Sequence, residues 1–563
     1  MIEDDLRAWL RSGLEAASTS LGLDGDLPDP DVMQPRQKEH GDFATNVALA
    51  VAPRAGTSPR AVAEAIVAAL PAVPFVDRVE IAGPGFINVF VTADWLHETL
   101  RRIVAEGEGY GRAPRTGTRV QVEFVSANPT GPLHIGHARN AVLGDAIARL
   151  LDAAGWDVER EYYYNDAGGQ MDRFGASVEA RYLQLVGRDA SVPEDGYHGD
   201  YVVALAREIL DVEGPGLADL PADARLARLR SEGAQRVLDQ IDATLGRFGV
   251  RFDSYVSEAS LAQKGTIDAV IEKLRGAGYI YEEDGAVWFR STAFGDDKDR
   301  VVIRSSGLHT YFAADCAYVE EKFARGFDHL IYVWGADHHG DIVRVRGAAQ
   351  ALGFDPEAVE IVIYQWVSFV RGGEPVPMSK RAGTFVPLDE LIDEVGTDAA
   401  RFHLLLFSND HTMSFDIESV KRQSMDNPVY YVQYGHARIT SILRKAEQEG
   451  LSLRPIDAVD LSLLREPEET DLLRALADMP AVIARAAELR APHRIAHASQ
   501  DVAARFHRFY TDRRVVSEDA ELTQARLWLC RASMTVMANL LELLGVSAPE
   551  RMERVDAGAS DGA

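Results

Sequence analysis

At 563 residues the chain exceeds what one hydrophobic core organises, and size alone suggests roughly three to four domains. Its 46% hydrophobic and 26% charged residues are ordinary for a globular protein. No run is long enough to span a bilayer, and the acidic start Met1-Ile-Glu-Asp-Asp-Leu6 is unlike a signal peptide, so a cytoplasmic location is expected. The net charge of −28 taken alone argues against a nucleic-acid binder, so a nucleic-acid partner requires locally clustered basic residues; the two distant cysteines, Cys316 and Cys530, argue against a disulfide framework and a cysteine-built zinc site and read as buried apolar residues.

Residues 1–110 read as a separable unit. Leu6, Leu10, Leu14 and Ala17 recur at helical spacing, and Phe43–Val51 and Val62–Leu70 predict two more helices. Val79–Ala82 and Phe86–Val91 flank Gly83-Pro84-Gly85 as a hairpin. After a Gly-, Arg- and Pro-rich linker, Gly109–Thr118, the residues Val120, Val122, Phe124 and Val125 predict a strand. Asn128-Pro129 and Gly131-Pro132 stop it, because proline can neither donate to a ladder nor continue a helix interior. From His137 the apolar residues Val142 or Leu143, Ile147, Leu150, Leu151 and Ala154 return every three to four positions until Gly155, and Val158–Tyr164 reads as a second strand, completing a βαβ unit.

The acidic, helical stretch from about Met171 to Leu274 reads as an insertion. Tyr279–Tyr281 and Val287–Phe289 flank Asp284-Gly285, a strong hairpin signal, and Val301–Ile303 and Leu330–Val333 predict strands of the second half of the nucleotide fold. Beyond Gly396 the pattern is helical throughout, with His403–Leu406, Ile439–Leu443, Leu472–Ala477, Ala481–Leu489 and Ala525–Leu544 as its apolar runs; the small, polar Glu553–Ala563 is expected to be disordered.

Chemistry concentrates where the βαβ helix begins, since its first turn presents unpaired N–H groups and the positive end of the dipole to phosphate. His134 and His137 are three apart and face the same way, Gly136 lets a flat base approach the backbone, and imidazole can donate to phosphoryl oxygens. Alone, His-Ile-Gly-His is as readily a chance tetrapeptide. Far downstream, the turn-rich, basic Pro377-Met-Ser-Lys-Arg-Ala-Gly-Thr384 could close Lys380 over the same phosphates, or be a solvated loop.

The two stretches together resemble the paired signatures of class I aminoacyl-tRNA synthetases. Glu123-Phe-Val-Ser-Ala-Asn-Pro-Thr-Gly-Pro-Leu-His134, Gly41-Asp-Phe-Ala-Thr-Asn46, Asn427-Pro-Val-Tyr-Tyr-Val-Gln-Tyr434 and Ser547-Ala-Pro-Glu-Arg-Met552 are similar to the arginyl members and span nearly the whole chain. The resemblance implies an α/β fold in four parts: an α+β N-terminal domain touching the tRNA elbow (1–110), a Rossmann-like parallel-sheet catalytic domain (111–395, insertion about 171–274), an all-helical anticodon-binding domain (396–552) and a tail (553–563). It implies an arginine–tRNA ligase with ATP, L-arginine and tRNA as partners, Mg²⁺ arriving with ATP, no structural metal, no membrane and a monomeric state.

By the same resemblance, His134, His137 and Lys380 are catalytic, and Gly136, Met378 and Ser379 join them around ATP. Glu123, Ser126, Asn128, His134, Tyr311, Asp315 and His338 bind arginine, whose guanidinium needs carboxylates. The family loop begins with lysine where this chain has Pro377, and some relatives carry glutamines at Asp337 and His338. Asn88, Tyr434, Tyr510 and Met552 are the expected tRNA contacts, with Arg438, Arg513 and Arg514 toward phosphates. From the residues alone, Tyr311 and Asp315, four apart, need only share a helix face.

Overall fold

The structure, a computed structural model, describes residues 2–33, 35, 37–376, 378–379 and 384–552. Its contacts separate two compact units. The first contains residues 1–110 with 438–481 and 504–536, and the second residues 111–437 with 482–503 and the C-terminal residues from 537.

In the first unit, helix Ile2–Ser18 packs Leu6, Leu10 and Leu14 onto helices Val47–Ala55 and Pro59–Ala69. Ser58 caps the last of these, accepting from Ala61 N at 3.2 Å, with Pro59 at the first helical position. Strands β1 (Val32–Met33), β2 (Phe43–Thr45), β3 (Val76–Ala82) and β4 (Phe86–Val91) form an antiparallel sheet in the order β1-β2-β4-β3. Phe43–Thr45 is therefore strand, not the start of a helix. It pairs with Ile87–Val89, and the helix begins only at Val47, after Asn46.

The second unit is built on five parallel strands: β5 (Arg119–Glu123), β6 (Asp157–Tyr164), β7 (Ser254–Ser257) and two later ones. An antiparallel side sheet follows β7, made by β8 (Ile280–Glu283), β9 (Ala286–Phe289) and β10 (Arg300–Ile303). Asp284 and Gly285 both have positive φ, 50° and 73°, as their two-residue turn requires. β11 (His329–Gly335) and β12 (Val359–Tyr364) complete the parallel sheet in the order β12-β11-β5-β6-β7. Val301–Ile303 thus belongs to the side sheet and not to the nucleotide sheet. Conversely, Ser254–Ser257, inside the stretch read as an insertion, is the edge strand of the main sheet; four residues with two serines carry too little apolar pattern to show it.

Helix Ala138–Ala153 connects β5 to β6 and is buried on nearly every side. Gly144 is the point of closest approach, where a Cβ would overlap the Phe124 ring. Asp145 on this helix pairs with the wholly buried Arg401, whose remaining N–H groups donate to Phe248 O at 2.9 Å and Leu544 O at 3.0 Å.

After β12 come β13 (Val367–Arg371), β14 (Glu374–Pro375), the short hairpin β15 (Met378–Ser379) and β16 (Thr384–Phe385), and β17 (Met413–Asp416), which lies parallel to β13. The region beyond Gly396 is therefore not wholly helical. Its long helices are Pro428–Gln448, Pro467–Glu488, His493–Asp512 and Ala520–Leu543; two separately read apolar runs merge in the second, which continues through Pro480. Cys316 and Cys530 are both free and buried. No helix among the described residues is long and apolar enough to cross a membrane.

Candidate active site

The strand order reverses between β5 and β11, and at such a switch point the loops leaving the carboxyl ends of the strands part to form a crevice. A cavity of about 930 Å³ opens there, lined by Glu123, Ser126, His134, Gly136, His137, Tyr311, Asp315 and His338 among others. One concavity thus gathers residues spread over more than two hundred positions.

The turn after β5 is strained. Val125 and Ser126 have φ of 64° and 45°, a left-handed pair costly for a β-branched valine, about 1–3 kcal/mol per residue. Asn140, one helical turn beyond His137, holds it by accepting from Val125 N at 2.5 Å and donating to Val333 O at 2.9 Å on β11. Asn140→Ala is expected to lower the melting temperature as the turn relaxes, measured by calorimetry.

The two imidazoles are packed together, ring centroids 4.0 Å apart. His134 Nδ1 accepts from Gly136 N at 3.1 Å, and His137 Nδ1 lies 3.2 Å from His134 N, which donates to it. A neutral ring that accepts at Nδ1 carries its proton on Nε2, which prepares His134 as an Nε2–H donor; His137 Nδ1 also lies 3.2 Å from His134 O, so it faces both a donor and an acceptor of the same residue and its tautomer sets which it meets. Backbone pairing ties the segment just after the second motif to the first: Ile135 N donates to Val386 O at 3.1 Å, Leu388 N to Leu133 O at 2.9 Å, and the Phe385 ring stands 6.2 Å from His134. Pro377 and Lys380 lie outside the described residues, as do the side chains of Met378 and Ser379.

Thr310 caps helix Tyr311–Ala324, accepting from Ala313 N at 3.3 Å, and so aims Tyr311 and Asp315 along one stripe toward the cavity. Burial among protein pushes the Asp315 carboxyl up to about 7, with the negative charges of Glu258, Asp341 and Glu123 adding to the rise. Glu123, at the end of β5, is also raised by burial, offset by Lys322. The floor is acidic and crowded, prepared for a cation.

Other expected residues stand further back. Asn128 does not line the cavity: its amide donates to Gln170 Oε1 at 2.8 Å and accepts from Asn165 N at 3.1 Å, tying its loop to the segment after β6. His338 lies at the rim, 3.2 Å from Asp341. Among the described residues no group of three or more His, Cys, Asp or Glu is arranged around a metal ion. In the first unit Asn88 is 4% exposed within β4, whereas Tyr510 is 37% exposed with the Arg438 guanidinium 5.0 Å above its ring. Arg513 is held by Glu466 and Glu468 at 2.7 and 2.8 Å. In the second unit Tyr434 stacks on Tyr430, and Met552 lines a cavity of about 570 Å³ with Tyr430 and Gln433.

Sequence reasoning missed Asn140, Lys322, Arg139 and Trp366. Lys322 falls seven residues after Asp315 on the same helix stripe, the one sequence signal that points to it, though nothing in that spacing marks a lysine as buried. Arg139 is buried and donates to the carbonyls of Gln365, Ser408 and His411 at 2.6–2.8 Å, fixing the cavity wall beside Trp366, which is 59% exposed; neither follows any spacing rule.

A parallel sheet whose switch point carries His-x-Gly-His, backbone-paired to the residues that follow a Met-Ser-Lys sequence, defines a class I aminoacyl-tRNA synthetase. A methionyl-tRNA synthetase from Mycobacterium tuberculosis has this fold, with a TM-score of 0.51 at 15% identity over 76% of this chain and 91% of its own. The chain belongs to the arginyl-tRNA synthetase family. The model described as "tRNA synthetases class I (R), catalytic domain" matches residues 99–189 and 223–439, "Arginyl tRNA synthetase N terminal domain" matches 4–91, and "DALR anticodon binding domain" matches 432–552. Arginine–tRNA ligases of Desulforamulus reducens and Moorella thermoacetica are 48% and 50% identical to it, each over 94% of both chains. The Thermus thermophilus arginyl-tRNA synthetase structure superposes with a TM-score of 0.76 at 25% identity, covering 98% of this chain and all of that one.

Proposed function

We propose that the chain is an arginine–tRNA ligase that carries out both steps of its reaction in the cavity at the β5–β11 switch point. The observation that carries this reading is the acidic floor, Asp315 and Glu123, in the same cavity as the two oriented histidines. The guanidinium of L-arginine binds the floor, where a paired carboxylate geometry discriminates against lysine and glutamine without editing. Its carboxylate oxygen then attacks the α-phosphorus of ATP, forming arginyl-adenylate and releasing pyrophosphate.

His134 and His137 donate through Nε2–H to phosphoryl oxygens as charge builds there, and Lys380 is the cation assigned to the leaving side. Mg²⁺ carried by the nucleotide supplies further charge neutralisation. In the second step a hydroxyl of the terminal tRNA adenosine attacks the arginyl carbonyl and AMP leaves. The helical C-terminal region reads the anticodon and the N-terminal domain the elbow, in a cytoplasmic monomer. Asn128 positions the substrate loop, and Tyr510 with Arg438 offers a stacking platform for an unpaired base.

Arginine-dependent exchange of pyrophosphate into ATP, assayed with and without tRNA, tests the reading. Exchange is expected only with tRNA present; absence of both exchange and charging removes the enzyme assignment. Tyr510→Ala is expected to raise the tRNA KM by about tenfold, from the loss of one base stack, with the ATP and arginine KM values unchanged in charging kinetics.

A further inference from the structure

Beneath the arginine pocket lies an ionic layer for which the reaction just described has no task. The Lys322 ammonium is wholly buried, 2.5 Å from Glu123 Oε2 and 3.9 Å from Glu161 Oε1. The rings of Tyr318 and Tyr332 enclose it, their centroids 4.1 and 4.0 Å away. Glu123 therefore divides its oxygens: Oε2 accepts from Lys322, while Oε1 accepts from the Ser126 hydroxyl at 3.2 Å on the side of the cavity.

We propose that Lys322 is a positioning residue that sets the charge of the arginine pocket. It holds Glu123 as a carboxylate and leaves the floor one unbalanced negative charge, on Asp315, for a single guanidinium to neutralise. The proposal rests on the reading of Glu123 and Asp315 as the guanidinium partners.

The surrounding charges support it. From β6, Glu161 raises Glu123, but Glu161 is itself held low by Lys322 and by Arg325 at 2.6 Å. From the helix after β7, Glu258 raises Asp315, as does Asp341 after β11. Tyr163, Tyr318 and Tyr332 are all pushed up and stay neutral. Lys322 is the cation that lowers both pocket carboxyls. Without it both carboxyls are pushed further toward their neutral forms, and a pair of neutral acids fits an uncharged ureido group better than a guanidinium.

The test measures the arginine KM for charging, and inhibition by L-citrulline, an uncharged isostere, from about pH 6 to 9. Lys322→Met is expected to move the midpoint of the arginine KM profile up by about one unit and to narrow the arginine-over-citrulline preference about tenfold at neutral pH, with recovery at higher pH. A Lys322→Met enzyme with unchanged midpoint and preference, altered only in kcat or stability, overturns the proposal. If that variant does not fold, Lys322→Gln, which can still donate to Glu123 but carries no charge, decides, and an unmoved midpoint overturns it. Asp315→Asn separates the two levels: an unmoved arginine KM there removes the pocket reading itself, whereas a raised one beside an unshifted Lys322→Met profile removes only the role of Lys322.

Discussion

Asp315→Asn is expected to raise the arginine KM by about a hundredfold while leaving the ATP KM within about twofold, because truncating one member of a desolvated charge pair costs on the order of 3 kcal/mol. The isosteric amide keeps the helix and its Thr310 cap intact, so the loss reports charge and not packing. In the unsubstituted enzyme this carboxyl, pushed up to about 7, is protonated below that pH and charged above it, whereas the guanidinium is a cation throughout. The arginine KM should therefore fall as pH rises through about 7 and level off above, with binding at lower pH releasing a proton. In the asparagine variant that dependence should flatten. Charging kinetics at saturating ATP and tRNA across this range check both points, and a steep profile that survives the substitution would assign the titration to another group.

His134→Asn and His137→Asn should each lower kcat by about a hundredfold or more with the arginine KM nearly unchanged, the mark of a donor that acts in the transition state. Asparagine is the informative replacement because its amide occupies the place of Nδ1, so the contacts to Gly136 N and His134 N can persist while the Nε2–H group is removed. Single-turnover measurement of adenylate formation separates this chemical step from transfer to tRNA. A fall confined to the transfer step would take the two imidazoles away from the α-phosphate.

Much of the site was legible because its signals are local. His134 and His137 lie within one turn, the Asp284-Gly285 hairpin is fixed by its dihedrals, and the β5–helix–β6 unit follows from periodicity and two prolines. Tyr311, Asp315 and Lys322 form one stripe at spacings of four and seven, yet only the first two were recognised, since a buried ammonium gives no sign of burial in sequence. Phe43–Thr45 and Ser254–Ser257 were misassigned because three or four residues are too few to establish a period, and their strand character comes from partners distant in the chain. Arg139 and Asn140 work through backbone carbonyls and amides, which every residue possesses, so no side-chain pattern announces their partners.

The buried Arg401 guanidinium carries a consequence for biosynthesis. Three of its partners, Asp145, Phe248 and the carbonyl of Leu544, are made at widely separated times, the last when translation is almost over. Until then one N–H of a guanidinium destined for a dry interior lacks its acceptor, and an unsatisfied buried donor is costly. The catalytic layer therefore settles only after the ribosome has nearly finished, and stop codons close to the 3′ end of the message should yield chains that aggregate or are degraded rather than shortened but working enzymes.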